Sequence, residues 1–279
     1  MDPQSLPRVV ERILAPNPSL MTGPGTNTFV VFDETDPAVA IDPGPDDAGH
    51  LARVAEVAAA HGGLAAILIT HGHPDHVEGA AHLRALTGAP VLAWSREGSP
   101  AADQTLADGA AIPVGSRVLR ALHTPGHRFD HLCFLLEDAA VVFAGDLVAG
   151  VGTVVIAPPE GDLSDYMASL RRLRALDLRL ILPAHGPAIT DPPRLLAEYI
   201  AHREERERQV LAGLSDGRAT VPALVAVIYA AVDPALHPMA ALSVTAHLLK
   251  LEREGRVIRE PGGAAEGGED GADRWRLRE

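Results

Sequence analysis

The chain has 279 residues, enough for one large domain and a small one, and 47% of them are hydrophobic, which is ample for a core. A net charge of −13 argues against a strongly basic nucleic-acid surface, and a single cysteine, Cys133, excludes an internal disulfide. No apolar run approaches the roughly 18 residues of a membrane-crossing helix, and Met1 to Glu11 is polar without an apolar leader, so a cytoplasmic protein with no membrane contact is expected.

Thr28 to Phe32 and Ala38 to Ile41 read as an opening pair of strands, and Asp47 to His61 as an Ala-rich helix. Ile67-Leu68-Ile69 is short and apolar and reads as a buried strand. It runs into Thr70-His71-Gly72-His73-Pro74-Asp75-His76, which packs three imidazoles and a carboxylate into six positions. Residues two apart in extended chain point the same way, so His71 and His73 can face one point. Pro74 breaks the strand, and Asp75-His76 is expected to open a helix continuing from Val77 to Leu86. A strand end feeding a helix start can present two pairs of ligands to two neighbouring metal ions. Neutral imidazole and carboxylate suit zinc, and also manganese or iron.

Further strands are expected at Val91 to Trp94, Arg117 to Leu122, Leu132 to Leu136 and Val141 to Ala144. Cys133 then reads as a buried structural thiol. A helix from Asp165 to Leu176 and a strand from Leu180 to Leu182 close the alternating part. From about Asp191 the composition turns to charged helix. Leu195 to Leu214 contains Arg203-Glu204-Glu205-Arg206-Glu207-Arg208, which reads as a solvated face of mutual ion pairs. Thr220 caps a helix with Pro222 in its first turn, a turn follows near Asp233-Pro234, and a last helix runs from Ala241 to about Glu254. The segment ending at Val257-Ile258 and the return at Asp273 to Arg278 look like the two wing strands of a winged helix, with the Gly-rich Pro261 to Gly271 as a loose tip. The boundary is placed between residues 200 and 201, giving domains 1–200 and 201–279.

The His-x-His-x-Asp-His run resembles the signature of the metallo-β-lactamase superfamily. Three further segments carry the same resemblance in order: Thr124-Pro125-Gly126-His127, Gly145-Asp146 after a strand, and His185-Gly186 after another. The resemblance implies an α/β fold, a four-layer αββα sandwich with metals at one edge between two sheets. It also implies that His71, His73 and His127 hold one ion, that Asp75, His76 and His185 hold a second, and that Asp146 bridges them. Two Zn2+ are the expected cofactors, with Mn2+ or Fe2+ as alternatives. A metal-bridging hydroxide would be the nucleophile, with Asp75 orienting it and accepting its proton. The small C-terminal unit narrows the resemblance to the lactamase-beta-like protein 2 branch. The segments Gly126 to His131, Leu163 to Leu170, and Pro183 to Pro187 with the downstream Tyr199-Ile200-Ala201-His202-Arg203 carry that closer match.

Other residues have two readings. His123 and His131 flank the Thr-Pro-Gly-His turn and are expected beside the site or on the surface, not as ligands. Asp42 is expected to orient a histidine, with a plain turn role open. The Gly23 to Thr28 loop either borders the cleft or is an ordinary turn. Tyr166 is expected in the core, with a cleft-facing position open. Trp94 and Trp275 form no stacking platform by themselves, and aromatics are only 4% of the chain, which weakens a case for stacking single-stranded bases.

Together these residues imply a two-metal hydrolase, with a thioester or related acyl ester as the favoured substrate. The branch resemblance also implies the alternative of an endoribonuclease on single-stranded RNA. A redox or non-catalytic role ranks third. Duplex-DNA reading is not expected, since charge in the C-terminal unit is roughly balanced; homodimer formation stays open.

Overall fold

A computed structural model describes residues 6–34, 36–262 and 273–279. Two sheets lie face to face. The first has the order β1 (Val10–Leu14), β2 (Asn27–Asp33), β3 (Asp36–Ile41), β4 (Leu64–Leu68), β5 (Val91–Ala93) and β6 (Gln104–Thr105). The second runs β11 (Leu180–Pro183), β10 (Val141–Gly145), β9 (Leu132–Leu136), β8 (Arg117–His123) and β7 (Ala111–Val114). Strands β3, β4 and β5 pair in parallel, as do β10 and β11. Parallel strands need covered faces, and this explains why their sequences read as unbroken apolar runs.

Strict alternation along those runs separates three cores. Phe29, Val31, Val39, Ile41 and Leu68 point between the sheets, where they meet Leu119, Phe134, Phe143 and Leu182. The intervening Val30, Ala40, Ile67 and Ile69 point outward onto α1 (Ala48–Ala59) and α3 (Ala80–Thr87) through Leu51, Val54 and Leu83. On the far side Val142 and Ile181 meet α4 (Leu163–Arg174) and the start of α5 (Pro192–Ser215) through Leu170, Leu173 and Leu196. The layers are therefore helix, sheet, sheet, helix, as expected.

One expected helix is two. After His73 the chain forms a single turn, α2 (Pro74–Val77), and restarts as α3. Gly79 is the reason: its N–H donates to Gly44 O at 2.9 Å, and any Cβ there would sit 2.8 Å from Leu51 Cδ2. Docking against α1 takes precedence over helix continuity. Strands β1, β6 and β7 were not expected, and each lies at a sheet edge.

The C-terminal unit has its own core. Val210 and Leu214 of α5 pack on α6 (Val221–Ile228), α7 (His237–Arg253) and the hairpin of β12 (Val257–Glu260) with β13 (Arg274–Leu277), through Leu224, Val244, Leu248 and Trp275. Thr220 caps α6 as expected, its Oγ1 accepting from Ala223 N–H. Helix α7 starts at His237, four residues before the expected Ala241, with Pro238 seated in its first turn. From residue 263 to 271 the expected wing tip lies outside the described residues. Helix α5 contributes Leu196, Tyr199 and Ile200 to the sandwich and Val210 and Leu214 to the C-terminal unit, so the expected 200/201 boundary falls inside it. Among the described residues no helix is long and apolar enough to cross a membrane.

Candidate metal centre

All seven side chains expected as ligands meet at one edge between the sheets, brought there by strand ends. The β4 end carries His71 and His73, α2 carries Asp75 and His76, and the turns after β8, β10 and β11 carry His127, Asp146 and His185. They fall into two groups: His71, His73 and His127 with Asp146, and Asp75 and His76 with His185. In the first group His73 Nδ1 lies 2.9 Å from His71 Nε2 and 3.0 Å from His127 Nε2. In the second, Asp75 Oδ2 lies 3.3 Å from His185 Nε2 and 3.5 Å from His76 Nε2.

Asp146 faces both groups with different atoms. Its Oδ2 is 3.6 Å from His127 Nε2 and 4.0 Å from His71 Nε2, whereas its Oδ1 is 3.3 Å from His185 Nε2 and 3.7 Å from His76 Nε2. Backbone geometry at the preceding residue makes this reach available. Gly145 has φ +48°, and a Cβ there would lie 2.7 Å from His131 Nε2 and 2.8 Å from Thr70 Cβ.

A second layer fixes the rings. Asp42 accepts from His76 Nδ1–H at 2.8 Å, from Thr70 N–H at 2.8 Å and from Thr70 Oγ1–H at 2.7 Å. Thr70 Oγ1 in turn accepts from His71 Nδ1–H at 3.0 Å, and Val155 O accepts from His127 Nδ1–H at 2.9 Å. Each donation leaves an Nε2 lone pair aimed into the cluster, the arrangement metal-bound histidines require. His76 Nε2 is buried there without any hydrogen-bond partner. Lone pairs converging beside two carboxylates fit divalent cations, and the donor set suits zinc.

The charges agree with that fit. Burial would raise the Asp146 carboxyl, but His76 and His185 hold it well below the usual carboxylate range. Burial opposes charge on His76 as well, yet Asp42 and Asp146 push it well above the ordinary histidine value. His185 is likewise pushed up to about 9, its two aspartates outweighing burial. His73 goes the other way, to about 4, through burial and then the neighbouring His127. A cation-free cluster thus carries protons where cations would otherwise balance the aspartates.

Neighbouring residues resolve as follows. His131 is fully buried and is no member of either group: its Nε2 accepts from Asp146 N–H at 3.1 Å, and its Nδ1–H donates to Thr124 Oγ1 at 2.9 Å. Asp42 is the histidine-orienting carboxylate. Tyr166 is core, its hydroxyl donating to Leu147 O. Cys133 is buried, its thiol pushed up to about 12 by burial. His123 stacks on Trp94 with centroids 3.6 Å apart. Two contributors escaped sequence reasoning. Thr70 links Asp42 to two histidines, and a threonine directly before the first motif histidine was the available sign. Asn27 Nδ2–H donates to both Pro183 O and Gly186 O at 2.9 Å, tying the first sheet to the turn that carries His185.

The site opens into a chamber of about 660 Å³ between the catalytic half and the winged helix. Leu20, Met21 and Val151 wall one side, and Tyr229, Leu236 and Met239 the other. Gly23 and Pro24 line it too, so the expected loop does border the cleft.

Residues 21–185 match the family described as Metallo-beta-lactamase superfamily, and residues 220–268 match the Beta-lactamase associated winged helix domain. The chain belongs to the metallo-β-lactamase superfamily. Within it, the chain is 39% identical over 224 residues to Lactamase-like protein adaB of Aspergillus niger, covering 79% of this chain and 68% of that protein. It is 36% identical over 215 residues to the Atrochrysone carboxyl ACP thioesterase of Aspergillus fumigatus, covering 75% of this chain and 66% of that one. A beta-lactamase domain protein from Burkholderia ambifaria has the same fold at TM-score 0.82 and 21% identity, over 98% of this chain and 93% of the other. These likenesses and the fold make this member of the superfamily a hydrolase.

Proposed function

We propose that the chain is a dinuclear metal-dependent hydrolase acting on a thioester or related acyl ester. The observation that carries this reading is Asp146, whose two oxygens each face a separate group of histidines. His71, His73 and His127 would hold one ion, Asp75, His76 and His185 the other, and Asp146 would be shared. Two divalent ions there would lower the pKa of a shared water towards neutrality and polarise the acyl carbonyl.

The chain's own residues do the rest. Asp42, Thr70 and Val155 O lock the imidazoles, so little reorganisation accompanies reaction. Asp75 is held below the usual carboxylate range, His185 and His76 overcoming its burial, and so stays ionised and able to take a proton from water. The apolar chamber wall would receive the acyl group and keep bulk water from it. That wall, and relatives named as acyl carrier thioesterases, support an acyl substrate over single-stranded RNA, which would call for stacked bases and a cationic backbone track.

The test compares one preparation on acyl-thioesters and on fluorescent single-stranded RNA, before and after chelation and dialysis, with metal analysis alongside. Thioester hydrolysis that is lost on chelation and restored by zinc, manganese or iron is expected, with close to two ions per active chain. Full activity at well below one ion per chain would defeat the mechanism. Cleavage of RNA alone would replace the substrate.

A further inference from the structure

The run Arg203 to Arg208 on α5 is only in part the self-paired face its sequence suggests, through Glu205 with Arg208. Glu204 reaches Arg171 of α4, Glu205 meets Arg208 and Gln209, and Glu207 meets Lys250 and Arg256 of the winged helix. Arg203 and Arg206, three residues apart and so on one side of the helix, form no ion pair among the described residues.

Arg203 is the sharper case. It is only 4% exposed, donates to Val154 O, and leaves its Nε–H without a partner. Its guanidinium lies 5.3 Å from the Tyr166 ring centroid. Arg206 rests 4.6 Å from the Tyr229 ring centroid and donates to Gln209 Oε1 at 2.7 Å and Ile228 O at 3.3 Å, and its buried Nε–H is also unpartnered. A guanidinium has five donors, and buried arginines are seldom left without a carboxylate. Both arginines line the chamber that holds Asp146 and His185, as does His202, whose Nδ1 is buried and unpartnered. Apart from Asp146 no carboxylate among the described residues lines that chamber. The winged-helix side thus supplies an apolar wall, and α5 supplies two cations that have no ion-pair partner among the described residues.

Building on the acyl-ester hydrolase reading, we propose that the chamber selects an acyl group with an apolar body and its own anionic oxygen, a carboxylate or ionised phenol, received by Arg203 and Arg206 away from the scissile carbonyl. Charge-assisted hydrogen bonds of this kind in a partly dry site correspond to about tenfold or more in affinity.

Two N-acetylcysteamine thioesters of decanedioic acid test this on the metal-loaded enzyme, one with the distal carboxylate free and one with it methylated. Wild type is expected to favour the free acid in kcat/KM by about tenfold or more, mostly through KM. Arg206→Gln should bring the ratio near one, whereas Arg203→Lys, which keeps the charge, should retain most of it. Fluorescence titration with 1-pyrenebutyrate and 1-pyrenebutanol reads the same selectivity without turnover, so it holds even if no thioester is cleaved. Selective pyrenebutyrate binding with neither thioester hydrolysed would sink the hydrolase reading and leave the oxyanion chamber standing. Equal kcat/KM on both thioesters with equal binding of both pyrenes overturns the proposal. Selectivity that survives Arg206→Gln overturns it as well.

Discussion

The cluster of seven histidines and aspartates at the sheet edge opens into the chamber through His127, Asp146 and His185, and two arginines of α5 line the same chamber, yet the two regions are buried in opposite company. In the first region imidazoles and carboxylates crowd together, and a second layer of Asp42, Thr70 and His131 holds His71, His76 and the backbone of Asp146. Donor atoms there converge on points where only cations could satisfy them all. In the second region Arg203 is buried and Arg206 half-buried, each guanidinium beside an aromatic ring, while Glu204, Glu205 and Glu207 are engaged elsewhere. One region lacks a positive partner and the other a negative one. Unbalanced charge of either sign is costly to bury, and so it marks where something else belongs.

The contrast can be broken most decisively at Asp146. Asp146→Ala should abolish thioester hydrolysis and markedly lower the metal content of purified protein, because one side chain serves both groups. Normal metal content with full turnover in that variant would remove the basis for a paired site. The supporting layer should matter less. Asp42→Asn and His131→Ala are each expected to weaken metal affinity or activity by about 10–100-fold, measured by chelator competition and steady-state kinetics. Losses as large as that of Asp146→Ala would mean that the layer ligates directly.

The α5 region can be sharpened by pH. His247 of α7 is 2% exposed, neither ring nitrogen has a partner, and burial followed by Arg203 pushes its pKa down to about 3. Its ordinary value is 6.5, so between about 3 and 6.5 the unfolded chain binds more protons than the folded one. The neutral ring's stability is therefore complete above 6.5 and lost as pH falls. By linkage the loss from pH 7 to pH 5 is about 2 kcal/mol. Urea midpoints of wild type and His247→Leu should diverge by that amount over this range; parallel curves would place the ring in water. The smallest effect is expected at His123. Removing its stack on Trp94 in His123→Ala should cost about 1 kcal/mol of stability and leave metal content as it was, by thermal melts and metal analysis.

The site was more legible from sequence than the chamber was. Ligands of a metal site are confined to a few residue types and sit where strands end, so His71 to His76, His127, Asp146 and His185 stood out against apolar runs. The central strands were equally plain because both faces are buried. Edge strands were not: β6 has two residues, β7 contains Pro113, and β1 buries only Val10 and otherwise alternates half-buried with exposed positions, so none carries a strong apolar pattern. The break between α2 and α3 depends on Gly79 meeting Gly44 and Leu51, a contact no local pattern encodes. The charges of α5 misled for a related reason. Spacing along one helix suggests which charges could pair with one another, and Glu205 with Arg208 does so, but Arg171, Lys250 and Arg256 arrive from other elements and claim Glu204 and Glu207.

Helix α5 passes unbroken from one core to the other, and among the described residues Arg203 and Arg206 form no hydrogen bond or ion pair with the seven candidate ligands. If the substrate is an acyl ester as proposed, fit for a new acyl group can therefore be revised by substitutions around Arg206, Tyr229 and Met239 while the chemistry at the sheet edge stays as it is. Exchange of the appended unit along that rod offers a route for one hydrolytic engine to be retuned for many cargoes.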